Sequence, residues 1–433
     1  MMKTVLVLSL AAAAGTSHAE AIHWGPPVEL AKGGGERGPW QQNNSRYDFV
    51  DDPSVALMAN GDAAVVWVDQ ARKDVFWQIV APDGSKRLAA PINISRTPGE
   101  FSWLPRIALS PRDPSHVYVL WQEIVFSGGP HGGEIFFARS LDGGHTFEPA
   151  QNLTTSIEGE GKGRLNAEAW HNGSLDIIVG ADDVIYTAWT NYEGTLTMRR
   201  SRDAGRTFDA NVVVAKGGKI PARAPSLAVG NGTIYVAWTI GETDNADIHL
   251  ASSRDGVTFS APMIVEHARG YSDAPKLAVD AAGTVHLAFA RTKGGPFDRA
   301  EVRYTRSRDG KNFEPTRVIS PALASGIAGS FPSLAVDGRR VFVTWDNTPR
   351  GADQPHGVGI AYSFDGGASF SKPALLENSS DRGPNGGFEG RLNRKLAVRG
   401  DSIVVVNSAK RAGESSRVWM LRGWLGESPP ADR

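Results

Sequence analysis

The most regular array of reactive side chains in the sequence is a set of carboxylates, one in each of five short phrases. These are "SLDGGHTF" from Ser140, "SRDAGRTF" from Ser201, "SRDGVTF" from Ser253, "SRDGKNF" from Ser307 and "SFDGGASF" from Ser363, with a worn sixth version, "APDGSK", from Ala81. A repeated Asp-x-Gly can be a Ca²⁺ loop or a capped turn. Calcium takes roughly 6–8 oxygen ligands, more than each phrase supplies. A turn needs only a carboxylate to accept backbone N–H groups, which Asp142, Asp203, Asp255, Asp309 and Asp365 can do, and a Gly that takes positive φ. The phrases are therefore expected to be scaffold, with the following aromatic closing a sheet edge. Other chemistry finds less support. The 10 His are scattered without the paired spacing of a zinc site, and "GGG" from Gly33 precedes no strand-to-helix unit, so neither a metal nor another cofactor is expected. Asn93 and Asn152 begin glycosylation sequons, which matter only in a host that modifies exported chains.

The elements around these phrases repeat. An apolar run, a turn and a second alternating run recur from Asp52, Leu104, Gly173, Ala224, Ala274, Phe331 and Arg394, the Gly173 and Arg394 copies being degraded. In six copies the second run ends on an aromatic: Trp67, Trp121, Trp189, Trp238, Phe289 or Trp345. A third run follows in most copies ("EIFFARS", "DIHLASS", "EVRYTRS"), then the Asp phrase, then a short fourth run. Four strands per repeat predict an all-β fold, a β-propeller of four-stranded antiparallel blades, seven favoured and six possible. The last copy stops after its third strand, and "HWGPPVELAKG" from His23 resembles an orphan fourth one. The N-terminal piece is thus expected to close the ring as an outer strand and to cover an exposed edge.

Composition narrows the function classes. With 433 residues, 41% hydrophobic and 21% charged, the chain can bury a large core, and 49 Gly with 26 Pro suit a turn-rich fold. A net charge of -1 gives no basic excess for nucleic acid. Residues 1–19 combine Lys3, an apolar run at 5–14 and small Ser17 and Ala19, the pattern of a cleaved signal peptide, leaving 20–433 as a single propeller domain. The apolar run is too short to span a bilayer, so no membrane insertion is expected. Export without a single Cys suits a secreted or periplasmic bacterial protein, which must rely on packing rather than disulfides. A monomer is expected, with a glycan or other carbohydrate as ligand and a protein partner as the alternative.

The phrase Ser-x-Asp-x-Gly-x-Thr-aromatic between third and fourth strands resembles the Asp box, or BNR repeat, of the sialidase (neuraminidase) superfamily, and the resemblance runs from about Ala21 to Gly423. It implies an exported glycoside hydrolase acting on a terminal acidic sugar, with arginines on the sugar carboxylate, a Tyr nucleophile activated by a Glu, and an Asp acid/base. Carried over residue by residue, it makes Arg223 in "ARAPSLAV" a carboxylate ligand, although in the fourth repeat rather than the first, where Asp51 stands and Arg46 lies five positions earlier. Asp74 in "ARKD" becomes the acid/base, Tyr271 in "GYSDAP" the nucleophile, and Glu168 and Glu389 its candidate partners. Arg164 and Arg391, in the echoed phrase "GRLN", could complete the arginine cluster. Two alternatives share the same variable face, opposite the Asp phrases: a non-catalytic binding propeller, and a polysaccharide lyase acting on uronic acids.

Overall fold

The structure is a computed structural model that describes residues 22–125, 133–155, 159–164, 170–218, 220–241, 245–266, 270–387 and 392–426. The expected signal peptide, Glu168, Glu389 and Arg391 lie outside the described residues, as does the side chain of Arg164. Among the described residues no helix is long and apolar enough to cross a membrane.

The chain is an all-β propeller of four-stranded antiparallel meanders. The first blade runs outward through Val50–Leu57, Ala63–Asp69, Asp74–Val80 and Ile92–Asn93. Separate four-stranded sheets also begin at the inner strands Ser102–Leu109, Leu175–Val179 and Ala328–Asp337. A five-stranded sheet ends the chain, its Ser415–Leu425 strand pairing with both N-terminal strands, Ile22–Trp24 and Val28–Gly33. The N-terminal segment thus covers the edge that the last repeat leaves open.

The sheets do not match the expected seven, or six, separate blades. Among the described residues five sheets of four or five strands stand apart, a two-stranded ribbon (Lys162–Arg164 with Trp170–Asn172) precedes the third repeat, and the fourth and fifth repeats are fused into one eight-stranded sheet. The reason is local: the strand Gly270–Val279 begins early enough for Gly270 and Tyr271 to pair in parallel with Asn245 and Ala246 of the preceding repeat. Inner strands pack side by side around a closed ring, from Val50–Leu57 through Ala222–Gly230 and Gly270–Val279 to Leu396–Arg399 and back.

A bulge shapes the head of five inner strands. Their registers slip between Asp51 and Ser54, Trp103 and Arg106, Arg223 and Ser226, Asp273 and Lys276, and Ser330 and Ser333. Each slip contains a Pro, which has no N–H for the ladder, preceded by a residue at positive φ: Asp52 56°, Leu104 63°, Ala224 53°, Ala274 54° and Phe331 51°. Left-handed backbone costs a non-glycine residue roughly 1–2 kcal/mol, which the surrounding packing must offset. Serines just past the bulges join neighbouring strands; Ser54 Oγ donates to the Pro105 carbonyl (2.7 Å) and Ser226 Oγ accepts from Leu277 N (2.9 Å).

The repeated Ser-x-Asp turns behave as side-chain-capped turns. Asp203 accepts from Ser201 Oγ (2.8 Å), Thr207 N (2.9 Å) and Thr207 Oγ1 (2.6 Å), and Asp142 and Asp365 repeat the pattern. At Gly144 and Gly205 a Cβ would run into Trp77 and Phe137 of the preceding blade, so these glycines also seat the turn against its neighbour. Because strands alternate in direction, these turns share one face of the disc. The bulged strand heads and the loops after the second strands share the other.

Candidate functional site

Five residues stand two positions before the bulge prolines, at the heads of the inner strands: Asp51, Trp103, Arg223, Asp273 and Ser330. Two of them meet across adjacent repeats. Arg223 Nη1 donates to Asp273 Oδ1 at 2.7 Å, Nη2 donates to the Tyr271 hydroxyl, and the guanidinium lies 5.2 Å from the Tyr271 ring centroid. Thr239 Oγ1 adds a 2.9 Å bond to Asp273. Arg223 is 0% and Tyr271 1% exposed. Burial pushes the Tyr271 phenol well above its ordinary range, with Arg223 opposing, so it is a neutral phenol at physiological pH.

The other predicted residues do not join this cluster among the described residues. Asp74 is buried in its own blade, where Asn93 Nδ2 (2.7 Å), Ser95 Oγ (2.6 Å) and Thr97 N (2.8 Å) donate to it; it fastens the third strand to the segment after the fourth. Arg46 is exposed on the segment before the first inner strand, and its carbonyl receives Gly38 N at 3.0 Å. The structure therefore brings Tyr271 and Arg223 together and leaves Asp74 and Arg46 elsewhere.

A cavity of about 700 Å³ opens on this loop face where the first repeat meets the sixth and seventh. Asp51 and Asp346 lie at its base, 3% and 4% exposed. Asp346 pairs with buried Lys395 (Nζ to Oδ2 3.1 Å) and accepts from Asn385 Nδ2 (3.0 Å) and Asn407 Nδ2 (3.2 Å). Asp51 accepts from Gly387 N (2.7 Å), Asp52 N (2.8 Å) and Ser408 Oγ. The same loop and the same strand, through Asn385 with Gly387 and Asn407 with Ser408, orient both carboxylates. Phe49 forms an aromatic wall, capped by Lys410 Nζ 3.4 Å from its centroid, and Glu36, Arg37 and Asp353 stand at the exposed rim.

Beneath the head positions the axis of the ring is filled. Arg106 donates to Asn393 Oδ1 and to the Gly173 carbonyl (3.1 Å), Arg394 forks onto Asp176 (3.0 and 2.7 Å), and Lys276 Nζ donates to the Leu392 carbonyl. Burial, with Arg106 adding repulsion, brings the Lys276 amine down to about 7. In the second blade burial raises Glu123, 0% exposed, to about 7.

Asp273, Asp346, Lys395 and Asn385 are residues that sequence reasoning missed. Two of them carried a signal. Asp273 and Asp51 occupy the position two before a bulge Pro, as Arg223 does, and Asp346 directly follows the terminal aromatic Trp345, where the other copies have Val68, Gln122, Thr190, Thr239 or Ala290.

No protein-family model matches the chain, and no curated protein matches it by sequence. Solved structures do. A structure described as a new family of polysaccharide lyase, PL25 ulvan lyase, is 14% identical with a TM-score of 0.57, covering 93% of this chain and 96% of that one. The polysaccharide lyase Uly1 is 10% identical with a TM-score of 0.57, covering 93% and 100%. The microbial sialidase Hz136 is 12% identical over 86% and 65%, and its TM-score of 0.46 does not tie this chain to the sialidase superfamily. At these identities the likeness to the two lyases is one of fold: the chain shares a β-propeller with carbohydrate-active enzymes over nearly its whole length.

Proposed function

We propose that the chain is a carbohydrate-active enzyme, a glycoside hydrolase that seats a glycan on the loop face with Asp51 and Asp346 beside the reacting bond. The observation that carries this reading is the pair of buried, oriented carboxylates at the base of a cavity with an aromatic wall. Glycoside hydrolysis needs two such groups, one to protonate the leaving oxygen and one to act as nucleophile or as base for water. The segment 1–19, read as a signal peptide, supports an action outside the cytoplasm.

The narrower reading, a sialidase-type hydrolase of a terminal acidic sugar, puts Tyr271 in the role of nucleophile, with Glu168, Asp74 and the arginines 46, 164, 223 and 391 around it. The geometry supports it less well, because Arg223 is already engaged by Asp273 and Tyr271. Charge points the same way: Lys395 offsets Asp346, and Glu36, Asp51 and Asp353 still outnumber Arg37 and Lys410 around the cavity, which suits an uncharged sugar better than an acidic one. The lyase reading is favoured by the full-length fold match to two polysaccharide lyases.

One digest separates these readings. Purified protein is incubated with neutral polysaccharides, uronate polymers and a fluorogenic sialoside, and both new reducing ends and the ultraviolet absorbance of unsaturated ends are recorded. Hydrolysis of a neutral glycan without unsaturation, reduced about 100-fold or more in Asp346→Asn and Asp51→Asn but not in Tyr271→Phe, is the expected result. Unsaturated product would establish a lyase, sialoside turnover lost in Tyr271→Phe the narrower hydrolase, and no product at all a binding propeller.

A further inference from the structure

An aromatic seam leads out of the cavity. From the wall residue Phe49 it passes to Tyr47 at 5.4 Å between ring centroids and on to Trp40 at 6.3 Å. Phe49 and Tyr47 are buried, whereas Trp40 is 42% exposed. Trp40 is backed edge-on by Trp103 at 5.5 Å and by Phe101 at 6.1 Å, so one side of the indole is fixed by packing while part of it faces solvent. The segment that carries it is tied down. Asn43 donates to the Ile124 carbonyl (2.7 Å) and accepts from Phe101 N (2.9 Å), Lys73 Nζ donates to the Asn43 carbonyl (2.6 Å), and Ser45 Oγ receives Gln41 N (2.7 Å). Arg37, at the rim, lies 5.9 Å from the Tyr47 ring and bridges the seam to the cavity.

We propose that Trp40 is an outer sugar-stacking subsite, and that the ligand is a chain of several uncharged sugar units running from Trp40 into the cavity. A rigid indole offers an apolar face that needs little ordering on binding, which suits the C–H face of a pyranose. Its surroundings argue against a protein partner. Pro39, Gln41, Arg37 and Glu36 around it are exposed, so the apolar surface is a single ring in a largely polar collar rather than a broad patch. Tyr47 stands between Trp40 and the cavity wall in the seam, with ring-to-ring steps of 6.3 and 5.4 Å, so the proposed ligand is an oligosaccharide rather than a monosaccharide. The inference rests on the reading of the cavity as a sugar site, but its test does not require turnover.

The test is native electrophoresis of the full chain through gels containing xylan, galactomannan or laminarin. At least one of these is expected to retard the wild type, with apparent affinity about tenfold weaker in Trp40→Ala and largely retained in Trp40→Phe, and with a fall in melting temperature of no more than about 3 °C in Trp40→Ala from the packing it loses. Equal retardation of Trp40→Ala and wild type, or no retardation of the wild type by any of the three, overturns the subsite. Retardation that depends on Trp40 without any product in the digest leaves the subsite standing and removes the enzyme reading instead.

Discussion

Lys395→Met tests the geometry of the cavity base most directly. It removes the cation but keeps the length and apolar stem of the side chain. Lys395 is 5% and Asp346 4% exposed, with Nζ 3.1 Å from Oδ2. Removing one partner of a buried pair costs about 3–5 kcal/mol, because the remaining charge stays desolvated. Asn385 and Asn407 still donate to Asp346, so the lower end applies, about 3 kcal/mol. A chain of 433 residues unfolds with an entropy of about 0.9 kcal/mol/K, which turns this loss into a fall in melting temperature of about 3 °C. Calorimetry on Lys395→Met, Asp346→Leu and the double variant completes a cycle. The double variant should recover most of the loss, since replacing a buried ion pair by apolar side chains is often neutral or stabilising. A shift under about 1 °C in Lys395→Met, or additive losses in the double variant, would refute a desolvated pair at the base of the cavity and with it the orientation of Asp346.

Other consequences can be read from stability against pH. Glu123, raised to about 7 in the folded chain, binds its proton more tightly than the unfolded carboxylate, so its contribution is full below about 4.5 and declines as pH rises towards 7; Glu123→Gln should flatten that decline. Lys276, lowered to about 7, works in the opposite window: the unfolded amine holds its proton up to about 10.5, so stability rises from about 7 to 10.5, and urea midpoints of Lys276→Met should lose that rise. At the turns, burial tends to raise Asp203, but Thr207, Ser201 and Arg206 donate to it and bring it down to about 2. Its contribution is therefore present above about 3.8 and lost as pH falls through 2, and Asp203→Ala should cost about 1 kcal/mol near neutrality and nothing in strong acid, by chemical denaturation.

Much of the architecture was legible in the linear order of residues because strand, turn and next strand are neighbours in sequence as well as in space. The Ser-x-Asp turns at Asp142, Asp203 and Asp365 are capped by donors within four residues, so nothing distant was needed to foresee them. The outer position of the N-terminal segment followed from a last repeat that lacks its fourth strand. The site was less legible. Asp74 stands beside a loop of the right kind, yet its contacts with Asn93, Ser95 and Thr97 depend on how the fourth strand returns across the blade.

What the sequence by itself determined is the alternation of strands and turns and the face on which variable loops gather, since both arise from interactions a few residues apart. Tertiary structure alone decided the fusion of the fourth and fifth repeats, which depends on where Gly270 and Tyr271 come to lie beside Asn245 and Ala246. It also decided which charges are available. Arg223 and Asp346 are each paired by a residue of the next repeat, Asp273 and Lys395, 50 and 49 positions later, and Asp51 joins Gly387 and Ser408 only because the ring closes the first blade against the last. Closure sets contacts between blades through packing across the whole circle, and no local pattern of residues encodes that register.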